Sequence, residues 1–438
     1  MSTDLDGIDE SHRHAVYATT IDATTIDMLT DNVLLEIFDL VRGSRTDFEF
    51  RHLPVWKWHR LAHVCHRWRQ IIFASPLRLD LQLLCTAGTP VRKNLTCWPA
   101  FPIVVDYNGL ELPPSDEDSV LAALEHPDRV HQVKLTVTSS LWRKMSTIMQ
   151  GPFPALTYLS IFSVDRDVPI LPGGFLGGSA PCLREILLCG IPIPTLSTIF
   201  SSASDLVELM LLDIPQTGYI SPAAMVACLA LLPKLENLTI GFHSQTLESH
   251  VDQINLLPEA RIVLPALISF SFEGECAYLE DLVARFDTPR LDSIDITYHN
   301  LDDFSVPQLS EFISRPDLKL SRLREAEIYF DDSGIISFYF GHAVDPDEYA
   351  FAIHISLCEG IADQVWGMAQ VLNQIAGVLS EVVRLDIKSE PEWRVEDDDN
   401  MDDIEWLELL LPFPAVETLR IGSKDIAESV ARTLEQTT

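Results

Sequence analysis

Four side chains able to ligate a metal crowd into one short stretch: His59, His63, Cys65 and His66. The spacing of His59 and His63 puts two imidazoles on one helical face, an arrangement that can grip a divalent ion. No Glu follows His59 to serve as a base, so histidines facing solvent are the simpler reading. A second stretch, Gly173-Gly174-Phe175-Leu176-Gly177-Gly178-Ser179, has the glycines of a phosphate cradle but not the Lys-Ser/Thr pair that would hold the phosphates. It reads as a connecting loop. The chain has no Gly-x-Ser-x-Gly elbow, no evident Cys–His pair, and no two carboxylates in a setting that would push their pKa values apart. The expectation is a non-enzyme with no catalytic residues, no cofactor and no metal.

The histidines sit on the second of two helical stretches. In the first, Val33, Leu34, Ile37, Phe38 and Val41 share one apolar face. Thr30 is placed to cap it, with Asp31 at the positive end of its dipole and Arg42-Gly43 at its stop. Leu35 and Leu40 lie off that face. More of the girth is apolar than a small surface helix needs, which points to a partner. In the second stretch Trp58, Leu61, Val64 or Cys65, Trp68 and Ile71 recur every three to four residues between Pro54 and Pro76. Residues 57–78 hold five Lys or Arg and no acid, a basic patch suited to an acidic partner surface.

These two stretches, read in order, resemble an F-box. The matching residues are Leu29, Val33-Leu34 and Ile37-Phe38, then Leu61, Val64-Cys65, Trp68 and Ile71. Thr30 stands where the family usually has proline, and the link through Gly43 to Phe50 is longer than usual. The resemblance implies a small all-α domain over 26–84 that docks to the adaptor subunit of a cullin–RING ubiquitin ligase, and through it to the cullin. It implies Leu29, Leu34, Ile37, Phe38, Leu61, Val64, Cys65, Trp68 and Ile71 as the docking residues. A helical bundle without a partner is the alternative.

Composition bounds the remainder. At 438 residues more than one domain is expected. With 65 acidic against 31 basic residues, nucleic acid and anionic membrane surfaces are poor partners, because phosphates would be repelled. The longest apolar run, Ala223 to Leu232, is too short to span a bilayer, and residues 1–25 carry no secretory pattern. A cytoplasmic or nuclear protein is expected. Eight scattered cysteines without a Cys-x-x-Cys read as buried free thiols.

Residues 1–25 are polar and aperiodic and read as a flexible tail. Residues 85–129 read as a linker or capping region, with a strand at Phe101–Tyr107 and a helix at Ser119–Glu125 behind the acids Asp116-Glu117-Asp118. From Val130 one pattern repeats: apolar, two others, apolar, one other, apolar. It starts at Val130, Leu156, Leu183, Leu206, Leu235, Leu267, Leu291 and Leu323, with weaker copies at Val382 and Val416; from Leu156 to Leu323 the copies lie 23 to 32 residues apart. That period marks a solenoid. Each core is a short strand with alternate residues pointing in, and helical stretches such as Pro222–Leu231 and Pro307–Ser314 lie between. The pattern resembles a degenerate leucine-rich repeat, implying an α/β solenoid over 130–438 with parallel strands inside and helices outside. A doubly wound α/β domain is the alternative. Two regions break the rhythm: aromatic-rich Asp331–Leu357, read as a hairpin or extra strand, and an acidic loop at 389–405.

The outward strand residues are the candidate target surface: Tyr158, Ser160, Glu185, Glu208, Asn237, Ser269, Asp295, Glu325, Glu327 and Tyr329. Several are acidic, so an unknown target protein presenting basic groups is expected. Joined to the F-box resemblance, this implies a substrate receptor of an SCF-type ubiquitin ligase. A repeat scaffold outside ubiquitin transfer is the competing class, favoured if Phe38 and Trp68 are both fully buried within the chain.

Overall fold

The structure is a computed structural model that describes residues 26–41, 58–76, 78–107, 113–166, 168–193, 197–243, 261–299, 305–315, 323–331, 335–341, 349–356, 361–390 and 403–436. The tail at 1–25, the long link at 42–57 and most of the acidic loop at 389–405 lie outside them. The chain forms two units, Met1–Gln82 and Leu83–Thr438. Among the described residues no helix is long and apolar enough to cross a membrane.

The first unit holds α1 (Asp31–Val41), α2 (Trp58–Ala62) and α3 (His66–Ala74). Thr30 Oγ1 accepts from Val33 N at the start of α1, as the sequence suggests. The second stretch is not one helix. It breaks at Cys65, whose extended backbone starts α3 and whose Sγ accepts from Trp68 N at 3.4 Å. A thiol is a weak acceptor, so this cap does not stand out in sequence. The Cys-x-x-Trp spacing is here the geometry of a helix start.

The second unit is mixed α/β around one large sheet. Its strands are β1 (Leu83–Cys85), β2 (Ile103–Tyr107), β3 (Val130–Val137), β4 (Tyr158–Ser163), β5 (Glu185–Cys189), β6 (Glu208–Ile214) and β7 (Asn237–Phe242). There follow β8 (Ile262–Val263), β9 (Ser269–Gly274), β10 (Phe286–Asp287), β11 (Ser293–Tyr298), β12 (Glu325–Phe330), β13 (Ile335–Phe340), β14 (Phe351–Ser356), β15 (Arg384–Ser389) and β16 (Thr418–Ile421). Fourteen of them form one sheet in the order β1-β2-β3-β4-β5-β6-β7-β9-β11-β14-β13-β12-β15-β16, while β8 and β10 pair separately. Every pair in the large sheet is parallel except those made by β13. The break at Asp331–Leu357 is therefore a hairpin insertion that reverses the order of β12, β13 and β14.

The large sheet starts earlier than the sequence suggests. Residues 85–129 are no linker: β1 and β2 run parallel to each other, and β2 pairs with β3. These strands lack the full repeat core, yet Leu83, Cys85, Ile103, Val105 and Tyr107 are buried in the same apolar core as the rest.

Helices α4 (Val91–Cys97), α5 (Pro114–Leu124), α6 (Ser139–Ile148), α7 (Ser197–Phe200), α8 (Pro222–Leu229), α9 (Cys276–Val283) and α10 (Pro307–Ile313) lie between strands, as do α11 (Ile361–Gln374), α12 (Ala376–Leu379) and α13 (Asp403–Leu410); α14 (Lys424–Gln436) follows the last strand. Successive helices pack side by side, α5 on α6, α7 on α8, α8 on α9 and α9 on α10. Inward strand residues form continuous rows across neighbours: Leu159, Ile186, Leu209, Leu238, Phe270 and Ile294 make one, and Ile161, Leu188, Leu211, Ile240, Phe272 and Ile296 the next. All twelve are buried, each contributing about 1.5–3 kcal/mol relative to exposure. Side chains also close neighbouring helix starts. Glu280 of α9 accepts from the N–H groups of Gln308 and Leu309 at 2.7 and 2.8 Å, and Asp165 accepts from Ser139 N at 2.6 Å.

The glycine-rich run at 173–179 is a tight turn rather than a phosphate cradle. Phe175 and Leu176 are buried, and Leu176 N donates to Met149 O. Gly177 has φ +60°, and a Cβ there would stand 2.6 Å from Pro152 N, so only glycine fits.

Candidate functional site

Two surfaces can do chemistry of recognition, one in each unit. In the first unit the nine docking residues divide. Leu34, Phe38 and Ile71 are buried, so they hold the unit together and are not free to touch a partner. The reason is local: Phe38 packs edge-on against Trp68, ring centroids 4.9 Å apart. Leu29, Ile37, Leu61 and Trp68 are half-buried, and Val64 and Cys65 are exposed. The full burial of both Phe38 and Trp68 that would favour a self-packed scaffold is not seen, since Trp68 keeps part of its surface.

The residues free for docking include several the helical wheel misassigned. Leu35 turns inward, while Val33 and Val41 turn out. Val33, Ile37, Leu40 and Val41 then fall on one outer stripe of α1, with Leu40 81% exposed and Val41 57%. Val64, 59% exposed, adds to the apolar surface of the same unit. The surplus of apolar girth was the legible signal; which side faces in was not, because leucines occupy both.

The basic patch is partly spent within the unit. Arg67 donates to Asp31 at 2.7 Å and to Leu29 O, and Arg78 pairs with Glu36 and lies 3.8 Å from Asp39. Arg69 donates to Ala62 O at 2.9 Å. The Arg67 and Arg78 contacts brace α1 against the chain that follows it, and the Arg69 bond ties α3 to α2, leaving less bare charge than the composition implies. The histidines do not converge: among the described residues no group of three or more His, Cys, Asp or Glu could hold a metal ion. Cys65, Cys97 and Cys182 are exposed, against the expectation that all thiols are buried; Cys85, Cys228 and Cys276 are buried.

The second surface is the outward face of the large sheet. Parallel pairing stacks its side chains into rows. Tyr158, Glu185, Glu208, Asn237 and Ser269 form one row across β4, β5, β6, β7 and β9. Ser160, Leu187, Met210, Thr239, Ser271 and Asp295 form the next, reaching β11. Two candidates are not available on this face. Ser160 is fully buried, being short between the taller Tyr158, Phe162 and Leu187. Glu208 is also buried, at 6% exposure.

The face changes character along the sheet. On β4, β5 and β6 the half-exposed side chains are mostly apolar, Tyr158, Phe162, Leu187, Cys189, Met210 and Leu212, beside Ser163 and Glu185. On β12, β13, β14 and β15 they are mostly ionic and aromatic. Glu325 pairs with Arg384 at 3.3 Å, Glu327 with Lys388 at 2.7 Å, and Arg384 Nε lies 3.5 Å from Asp386. Tyr329 OH donates to Glu390, and Tyr339 stacks on Tyr349 with centroids 4.3 Å apart. Asp295 stands 3.3 Å from His354 Nε2, whose Nδ1 meets Ser337 Oγ at 2.8 Å. Of the carboxylates expected to meet a basic target, Glu325 and Glu327 therefore already have cationic partners on the next strand, and Asp295 stands beside a histidine.

At the carboxyl ends of β5 through β11 two more acids gather. A bulge in β6 puts Asp213 at φ +50°, and its carboxylate meets His243 Nδ1 at 2.5 Å. Glu273 lies 3.3 Å from His299 Nε2. A Cβ on Gly241 would come within 3.3 Å of Glu273 Oε2, so the missing side chain is the room that carboxylate occupies. Burial, with Asp213 and then Glu273 nearby, pushes the Cys189 thiol up; a neutral thiol is a poor nucleophile. The Glu273 hydrogen bond raises the His299 pKa against the opposing effect of burial.

No family model matches this chain, and no curated protein matches it in sequence.

Proposed function

We propose that this chain is the substrate-recognition subunit of an SCF-type ubiquitin ligase, an F-box-like unit joined to a leucine-rich-repeat-like solenoid. The observation that carries the reading is the apolar stripe of exposed Val33, Leu40 and Val41 with half-buried Ile37, on a small helical unit whose residues match the F-box pattern in order. Burying such a stripe against an adaptor subunit gains roughly 25 cal/mol per Å² of apolar area removed from water. Strand order in the large sheet supports the solenoid half, since it follows the chain from β1 to β11, whereas a doubly wound sheet reverses at a switch point.

The mechanism is proximity. The sheet unit holds a target protein, and the helical unit ties it to the ligase. A target lysine thus meets the ubiquitin-loaded enzyme at high effective concentration, with no bond made or broken by this chain. The test is co-elution of the full chain with purified ligase adaptor on size exclusion. Wild type is expected to co-elute, and Leu40→Asp and Val64→Asp to elute alone with unchanged circular dichroism. Failure of folded wild type to co-elute would overturn the ligase reading and leave a repeat scaffold.

A further inference from the structure

We infer that the target is held on the apolar half of the outward sheet face, over β4, β5 and β6, by a segment carrying large apolar side chains flanked by basic residues. This rests on the reading of that face as the target surface, and it moves the anchor away from the paired acids of β12 and β15.

Three observations converge. First, Tyr158, Phe162, Leu187, Met210 and Leu212 lie on three adjacent strands in continuous register, each partly exposed. Apolar side chains at the centre of an interface supply most of its affinity. Second, the acids of β12 in the other half are partnered by Arg384 and Lys388. A basic target would have to displace those cations, exchanging one surface ion pair for another at little net gain. Third, acids stand on the rim of the apolar half, most clearly Asp213 and Glu273, while Arg166 and Arg184 lie next to Asp165 and Glu185. Asp213 and Glu273 are 53% and 48% exposed at the carboxyl ends of the strands, Asp165 is exposed beyond β4, and Glu185 stands at the opposite ends. Each of the first two carboxylates leans on a histidine. A rim of this sign steers and orients basic flanks while the centre desolvates apolar side chains.

The face also sets the approach. Leu187 and Met210 occupy one row and Cys189 and Leu212 the next, so a bound segment meets two rows that run across the strands. A segment lying along β5 and β6 would place its apolar side chains over both rows and its ends near Asp213 and Glu185.

A displayed library of random peptides, selected on the full chain, tests this. The enriched sequences are expected to carry clustered Leu, Ile, Phe or Met with Lys or Arg on either side. Synthetic copies should lose about tenfold or more in affinity for Met210→Asp, equivalent to about 1.4 kcal/mol, and severalfold for the Asp213→Asn, Glu273→Gln pair. Variants Glu327→Gln and Asp386→Asn should bind as wild type. Enrichment of acidic or wholly polar sequences, or no enrichment, would overturn the inference. Loss on Glu327→Gln and Asp386→Asn but not on Met210→Asp would overturn it while leaving the outward face as the target surface. Indifference to every one of these substitutions would bring down the reading of that face as well.

Discussion

Strands β4 to β6 and strands β11 to β15 belong to one sheet and bury the same kind of inward rows, yet they show opposite outward faces. The first set presents Phe162, Leu187, Met210 and Leu212; the second presents Glu325, Glu327, Arg384, Asp386 and Lys388. Inward positions are constrained by close packing, so they stay apolar along the whole sheet. Outward positions carry no such constraint, so a difference between halves is free to record what each half does. In the second half the inserted β13 and β14 bring aromatic rings and His354 beside the ion pairs, so much of its polarity is satisfied internally.

The sharpest way to separate structure from surface is to truncate one inward and one outward side chain on adjacent strands. Ile240→Ala removes a fully buried inward side chain and is expected to cost about 2–5 kcal/mol in urea unfolding. Met210→Ala, on the outward row of the strand beside it, should cost under about 1 kcal/mol, because its site is open to solvent. Equal losses would erase the distinction between the two faces.

Gly190 tests the carboxyl edge of the apolar half. Its φ is +68°, and a Cβ added there would come within 3.3 Å of Ser163 Cβ. Gly190→Ala should therefore destabilise by about 1–2 kcal/mol in thermal melts. An unchanged melt would mean that the strand end relaxes freely.

The ionic half should respond more weakly. A double-mutant cycle on Glu327→Gln and Lys388→Met is expected to give a coupling of about 0.5–1 kcal/mol, since Lys388 is half exposed and screened. A coupling near zero would reopen Glu327 as a ligand for a basic target.

The smallest effect is pH dependence at Glu273 and His299. Folding raises the His299 pKa, so its contribution to stability is complete below the unfolded value of about 6.5 and fades as pH rises through the folded value. Glu273→Gln should lower the His299 titration midpoint seen by NMR. No movement would place the cause of the shift elsewhere.

Much of this was readable in advance. The repeat cores from Val130 onward are strands because alternation with a fixed lead-in has one structural outcome, and the hairpin at 331–357 showed as a break in that rhythm. Strand β1 is too short, at three residues, to carry a pattern; β2 was legible as a strand, but without the repeat core nothing in it pointed to the large sheet. The partners of Glu325 and Glu327 lie some sixty residues away, on a strand brought alongside only by the reversed order of β12, β13 and β14. No local period encodes such a pairing. On α1 both faces are apolar, so the wheel alone could not choose which one packs on Trp68.

The division of labour between the units is tested most directly by titration calorimetry of the full chain with two ligands, the purified ligase adaptor and a selected peptide. The account predicts that Leu40→Asp abolishes adaptor binding and leaves peptide affinity intact, while Met210→Asp does the reverse. Loss of both by either substitution in a folded protein, or loss of neither, would contradict it.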